Sequence, residues 1–393
     1  DDRLTMKVYF SENLPGEYGN NHRYLQDILE EYAAYSKGNI HFEFFRPDND
    51  EQMQEDAQKS GIQPVQLQVI ENDALEVKRV YMGMVFLYED DRETIPVIQT
   101  TTGLEYDITT KIKKMVDLQK ENIGIAQLTG QENIKTENIS QILRERYNVR
   151  NTNLSLPVSD DISLLLMNGV EDSLLADEKQ NLENFINRGG NLLLTQGRIK
   201  TDLSTQQANP IVSDIFSVLE SFGIKIASNL VLDQNCGKVN VQQNLGFLRI
   251  PVPMDYPFLP IIKKENFNDE ITMVSGLEAL RLMFPSEITF DDTSLFSDND
   301  AVVTPLFNSS DRSTVMEEFF NLSPDPQQNP SFRQLTEAGK ILGALVQKTN
   351  AETGVVSQLI LVSDSKFMMD DGGGAAPENH IFVMNAADYL LGD

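Results

Sequence analysis

Apolar residues along this chain recur at two periods, and the switching between them sketches the fold. In residues 173–197, Leu174, Leu175, Leu182, Phe185 and Ile186 share one side of a helix, while Asp177, Glu178, Lys179, Glu183 and Asn184 face the other way. Gly189-Gly190 stops that helix, because glycine enters a left-handed cap without steric cost. Asn191-Leu-Leu-Leu-Thr195 follows as a short apolar run of the kind a parallel sheet buries on both faces. Helix, glycine stop and buried strand predict one half of a βαβ crossover.

The same reading runs the length of the chain. Strands are predicted at 6–10, 40–45, 65–70, 80–88 and 94–98, with a turn at Asn72-Asp73. Helices are predicted at 18–35 (Leu25, Ile28, Leu29 and Tyr32 on its apolar side), at 50–60 before Gly61, and at 104–118. This β-α-β-α-β-β-α order resembles the thioredoxin fold. Pro64 stands where that fold places a proline before its third strand, a position in which the X-Pro bond is often cis. The place of the redox pair after the first strand holds Ser11-Glu12-Asn13-Leu14-Pro15, which offers no thiol for exchange.

A second unit begins near residue 120. Strands at 123–128, 148–151 and 162–167 alternate with helices at 137–147 and 210–221, the latter carrying Ile211, Ile215, Val218 and Leu219 before Gly223. Such alternation argues for an open, mostly parallel sheet. From about 228 to 330, prolines 251, 253, 257 and 260 interrupt short apolar runs, which reads as a β-rich insertion. Strands at 341–347 and 357–362, a glycine-rich loop at 370–377 and a helix at 381–391 then bring the first theme back. The expected class is therefore α/β. A thioredoxin-like domain over 1–119 precedes an open, doubly wound sheet over 120–393, whose architecture resembles the class I glutamine amidotransferases.

Composition narrows the function. A chain of 393 residues has room for two or three domains. Its 60 acidic against 32 basic residues, a net charge of -28, argue against nucleic acid or an anionic bilayer as a direct partner. The single cysteine, Cys236, excludes an internal disulfide and a thiolate zinc cluster. No run approaches the roughly 18 apolar residues of a membrane span. The chain starts at Asp1 and stops directly after a predicted helix, so both ends read as trimmed to a domain boundary.

Catalytic constellations are incomplete. The sheet's elbow is Thr195-Gln196-Gly197, without a cysteine or serine nucleophile. Cys236 lies in a turn sequence of the insertion, His22 and His41 fall in the first domain, and only His380 is near the sheet's end. A hydrolase or amidotransferase is accordingly the weakest reading, and no cofactor is expected. Asp364, Asp370, Asp371, Asn379 and His380 cluster in sequence but lack the alternating spacing of a calcium loop, so a solvated loop is expected there. Gly372-Gly373-Gly374 has no companion phosphate motif. By the rule that open α/β sheets bind ligands at their strand C-termini, Thr129, Gly130 and Gln131 should face Asn168, Gly169, Gln196, Gly197, Arg198, Asp364 and Ser365. These ten residues form the candidate crevice for a small polar ligand, glycan or nucleotide-like.

Several stretches together resemble one family, the auxiliary, extracytoplasmic component of the ABC-type transport systems linked to bacterial gliding motility (GldG-like). They are residues 7–15, 61–69, 81–99, 104–115, 123–133, 185–197, 304–310, 362–367 and 385–393, in order across nearly the whole chain. Where relatives often read Thr-Gly-His-Gly-Glu, this chain has Thr129-Gly130-Gln131-Glu132-Asn133. The resemblance implies membrane helices flanking this segment, an extracytoplasmic (periplasmic) location, and partnership with ATPase and permease subunits. It carries over no catalytic residue.

Overall fold

The computed structural model describes residues 3–392 except 13, 15–17, 72–73, 90, 117–119, 132–133, 246–247 and 291–300. Residues Asp1–Lys120 and Glu121–Asp393 form two compact units.

The first unit runs β1 (Leu4–Phe10), α1 (Gly19–Tyr35), β2 (Ile40–Phe45), α2 (Glu51–Lys59), β3 (Val65–Glu71), β4 (Ala74–Val80), β5 (Met82–Tyr88), β6 (Asp91–Ile95) and α3 (Leu104–Val116). Its four-stranded sheet has the order β2-β1-β5-β6, with β1 parallel to β2 and antiparallel to β5. Period-two alternation in β1 builds a core on each face. Met6, Val8 and Phe10 join Leu25, Ile28 and Leu29 of α1 and Leu104 and Ile108 of α3. Tyr9 turns to the opposite face, where Ala57, Ile62 and Val85 meet it. Asp50 caps α2 by accepting the Gln52 and Met53 N–H groups, and Gly61 ends it at φ +85°.

The structure corrects three sequence expectations here. The apolar run 80–88 is not one strand. It breaks at Tyr81, whose N–H donates to Ser11 Oγ at 2.9 Å, and the residues before the break form β4 in a separate ribbon with β3. Apolar content alone cannot reveal such a change of partner. The last strand sits at Asp91–Ile95 rather than 94–98. The Gln63-Pro64 bond is trans, since no described peptide bond is cis. The turn expected at Asn72-Asp73 lies outside the described residues.

The second unit begins with β7 (Asn122–Gln127), α4 (Glu137–Arg144), β8 (Asn148–Asn153), β9 (Ile162–Met167), α5 (Ala176–Asn187) and β10 (Asn191–Thr195). It continues through β11 (Ile199–Asp202), β12 (Gln207–Pro210), α6 (Ile215–Ser221), β13 (Lys225–Ile226), β14 (Asn229–Asp233), β15 (Cys236–Leu245), β16 (Leu248–Lys263), α7 (Thr272–Ser275), β17 (Ala279–Arg281) and β18 (Ile288–Thr289). It closes with β19 (Ala301–Asn308), β20 (Ser313–Glu317), β21 (Ile341–Thr349), β22 (Val356–Val362) and α8 (Pro377–Leu391).

The main sheet has the order β19-β21-β22-β10-β9-β7-β8. From β22 to β8 every pairing is parallel, whereas β21 is antiparallel to β22, and β19 to β21. Parallel strands must be covered on both faces. Leu165, Met167, Leu192, Leu194, Leu359 and Leu361 point into one core with Leu182 and Phe185 of α5 and Ile215 and Leu219 of α6. The alternate residues Leu164, Leu166, Leu193 and Ile360 are equally buried, and α8 packs against β9 and β10. The Gly189 stop after α5 has φ +93°.

Two boundaries differ from the sequence reading. The helix expected at 210–221 begins only at Ile215, because residues 207–210 pair with β11 as a short hairpin. Ile211 is buried without being helical. Within 228–330, β19 is not part of any insertion but the edge of the seven-stranded sheet. The small sheets β14–β20 and β15–β16–β17 surround their own core of Tyr256, Phe258, Phe284 and Leu322.

Candidate ligand crevice

The sheet reverses its winding between β7 and β9. The chain passes from β7 through α4 to β8 on one side, while β9 pairs on the other side of β7 and leads through α5 to β10. Open α/β sheets tend to bind ligands beyond the strand ends at such a point.

The candidate residues fall into two groups along this rim. Above β9, β10 and β22 they close on one another. Ser365 Oγ accepts the Gly197 N–H at 2.8 Å, and the Ser365 carbonyl accepts the Asn168 amide at 3.0 Å. Asn168 in turn accepts the Thr195 hydroxyl at 3.2 Å. Gln196 is fully buried: its Oε1 accepts the Val170 N–H at 2.6 Å, and its Nε2 donates to the carbonyls of Val170 and Gly197. At Gly169 two segments pass close together, since a Cβ there would lie 2.5 Å from that of Ser365.

Asp364, at the end of β22, has no exposed surface and accepts the N–H groups of Met283 at 2.8 Å and Lys366 at 2.7 Å. Burial pushes its carboxyl up to about 7, against the pull of those two bonds. A carboxyl so perturbed at a strand end would ordinarily suggest acid–base work. Here both oxygens are held by backbone donors and the side chain has no exposed surface. Its observed role is to pin the segment before β18 onto the sheet, assisted by the Ser286 N–H donating to the Ser363 carbonyl at 3.0 Å. Arg198 belongs to the same seam. Its N–H donates to Ser286 Oγ at 3.0 Å and its guanidinium lies 3.6 Å from the centre of the Phe216 ring.

Above β7 the rim is open. A cavity of about 400 Å³ is lined by Gln127, Leu128, Gln131, Lys135, Asn151 and Asn168, among others. The Thr129 N–H is held by Glu178 Oε1 at 2.7 Å, Gly130 turns at φ +85°, and Gln131 Nε2 reaches the Gly169 carbonyl at 3.2 Å. Glu132 and Asn133 lie outside the described residues. The N-terminus of α4 borders this cavity, and its positive end already has an anion. Asp370 accepts the N–H groups of Glu137 at 3.1 Å and Asn138 at 2.9 Å. Asp370 is therefore a helix cap rather than the solvated loop residue expected from sequence. A partner 233 positions away leaves no local signal.

The remaining reactive side chains do other jobs. His380 Nε2 bonds the Gly374 carbonyl at 2.8 Å. Asn379, fully buried, accepts the Arg281 N–H and donates to the Arg281 and Gly373 carbonyls. Burial, then the nearby Asp255 carboxylate, pushes the Cys236 thiol up to about 11, so it is protonated at neutral pH. His22 packs against Phe10 and Phe44, and burial lowers its pKa. Among the described residues no group of three His, Cys, Asp or Glu is placed to hold a metal ion, and no helix is long and apolar enough to cross a membrane.

The molecule thus presents an α/β protein whose strand-end residues chiefly bind one another. Its longer unit carries a family signature: the chain belongs to the family described as ABC-type uncharacterized transport system, an auxiliary-component family whose model matches residues 120–386. Residues 1–87 match a domain of unknown function, DUF7088. An uncharacterized protein of Borreliella burgdorferi is 23% identical over 354 residues, which cover 84% of this chain and 66% of that protein. The chain thus spans just under two thirds of that relative's length. Among solved structures, a similarity to the mmIFT52 N-terminal domain has a TM-score of 0.44 at 14% identity, covering 69% of this chain and 97% of that one. A putative ThuA-like protein from Parabacteroides merdae gives 0.35 at 10% identity, covering 69% and 90% respectively.

Proposed function

We propose that this chain is the extracytoplasmic, non-catalytic part of a membrane-anchored auxiliary subunit, acting by assembly or coupling with the permease and ATPase of an ABC transporter of the gliding-motility, GldG-like kind. The observation that carries the reading is the closed rim. At the strand ends, where α/β enzymes keep their reactive groups, Asp364, Gln196, Asn168 and Ser365 are engaged with one another and with backbone. The first unit fits the same role as a thioredoxin-like frame without thiols. Purifying the full-length protein from membranes and identifying its co-eluting subunits tests the assembly; a permease and an ATPase should accompany it. Reporter fusions test the location, and a cytosolic position for this segment would remove the proposal. Loss of gliding on deletion of the gene tests the motility assignment.

A second reading has one observation in its favour, the cavity at the reversal between β7 and β9. Its amide-rich lining and occupied helix end suit an uncharged, hydroxylated ligand such as a glycan fragment, not an anion. At 100 times its Kd such a ligand would add about 2.7 kcal/mol of stability. A thermal-shift screen of envelope glycans checks it; no shift, or one that Gln131→Ala leaves intact, would end it.

A further inference from the structure

The hairpin β15–β16 carries two edges of different kinds. Its outer half pairs Lys238 with Asp255, Asn240 with Pro253 and Gln242 with Pro251. A proline has no N–H to give, so these must be the pairs whose backbone groups point away from the partner strand. Val239–Met254 and Val241–Val252, which alternate with them, then make the ladder's bonds. On β16 the outward positions are therefore blocked by Pro251 and Pro253, the device by which proteins close a sheet edge. On β15 the outward positions are Lys238, Asn240 and Gln242, all exposed and each with an N–H and a carbonyl. Among the described residues no strand pairs with that edge.

We propose that the β15 edge is a homodimer interface, in which two copies pair antiparallel through β15 to make a four-stranded sheet. Charge argues for a second copy. The chain carries -28 overall, yet residues 234–254 contain no Asp or Glu, and Lys238 is offset by Asp255 at 3.5 Å. Two copies can therefore approach here without carboxylate meeting carboxylate, and the edge carries too little positive charge to select an acidic partner. Asn240 and Gln242 offer donors and acceptors that match their own copies. On the opposite face the half-buried Val241, Val252 and Met254 and the exposed Ile250 would be continued by those of the second copy, while Val239 already packs against the chain's own core of Tyr256 and Phe258. With Pro251 and Pro253 blocking the β16 edge, the contact is isologous and closes at two chains.

Light scattering of the 393-residue chain across roughly 1 µM to 1 mM, the range of weak to moderate affinities, should show passage from 44.3 kDa to twice that mass. Gln242→Pro removes an outward N–H and no ladder bond, so it should abolish the dimer while leaving the unfolding midpoint in place. Gln242→Glu, which sets like charges across the seam, should weaken it by tenfold or more. Opening the blocked edge with Pro251→Val and Pro253→Val together should yield species larger than a dimer. Hydrogen exchange at the Asn240 and Gln242 amides should slow with concentration. A monomer at every concentration, or a dimer that survives Gln242→Pro with those amides still exchanging fast, would overturn the proposal.

Discussion

The rim of the main sheet has a closed half and an open half, built from the same kinds of residue. Above β9, β10 and β22, Gln196, Asn168, Ser365 and Asp364 occupy one another's bonding positions. Above β7, Gln131 makes one described bond through its Nε2, and space of about 400 Å³ lies beside it. Position at a strand end is thus not chemistry. What separates a scaffold from a site is whether a polar atom retains a free lone pair or proton facing solvent-sized space.

The largest expected effect comes from the closed half and depends on pH. An unfolded aspartate titrates near 3.8, folded Asp364 near 7. Between those values the folded state keeps a proton the unfolded state has released, so stability falls as pH rises through the window and levels off above it. At ~1.4 kcal/mol per pKa unit the full fall is on the order of 4 kcal/mol. Urea unfolding of the chain and of Asp364→Asn from about pH 4 to 8 checks this, because the variant lacks the titrating group. Parallel profiles would show that Asp364 is not the source.

Next in size, Gly169→Ala forces a methyl against Ser365, a contact of 2.5 Å that backbone on both sides hinders from relaxing. A loss of about 1–3 kcal/mol is expected in the same measurement. Asp370→Ala leaves the Glu137 and Asn138 N–H groups without their carboxylate and should cost about 1 kcal/mol. The smallest effect distinguishes the open half. Gln131→Ala should change stability by no more than about 0.5 kcal/mol. A loss comparable to that of Gly169→Ala would mean that this half is braced like the other.

Much of the scaffold was legible because the period of apolar residues survives burial. The 173–197 pattern gave α5, its glycine stop and β10, and the 162–167 run gave β9. The helix starts only at Ala176, however, and Leu175 lies exposed before it. Glu178, expected to face outward, is buried where it accepts the Thr129 and Leu175 N–H groups. What stayed hidden depends on partners distant in sequence. The break at Tyr81 follows from Ser11, the strand at Gln207–Pro210 from Ile199–Asp202, and the place of β19 from β21. The ten candidate residues do gather along one rim. Composition could not tell that Met283 and Ser286 descend onto Asp364 and Arg198, while the Gln131 side stays open.

The strand order also sets when this protein can fold. β10 gains its second neighbour only when Leu359 to Val362 arrive beside Leu192 to Thr195, and α4 gains its cap only from Asp370. During synthesis, Leu192–Leu194 would wait with one bare flank until residues 359–362 had been made, a template for wrong pairing. The unit should therefore complete late and all at once, and a nascent chain would need shielding by a holdase. Force profiling with arrest peptides at successive lengths should show its pulling event only after residue 370 has emerged.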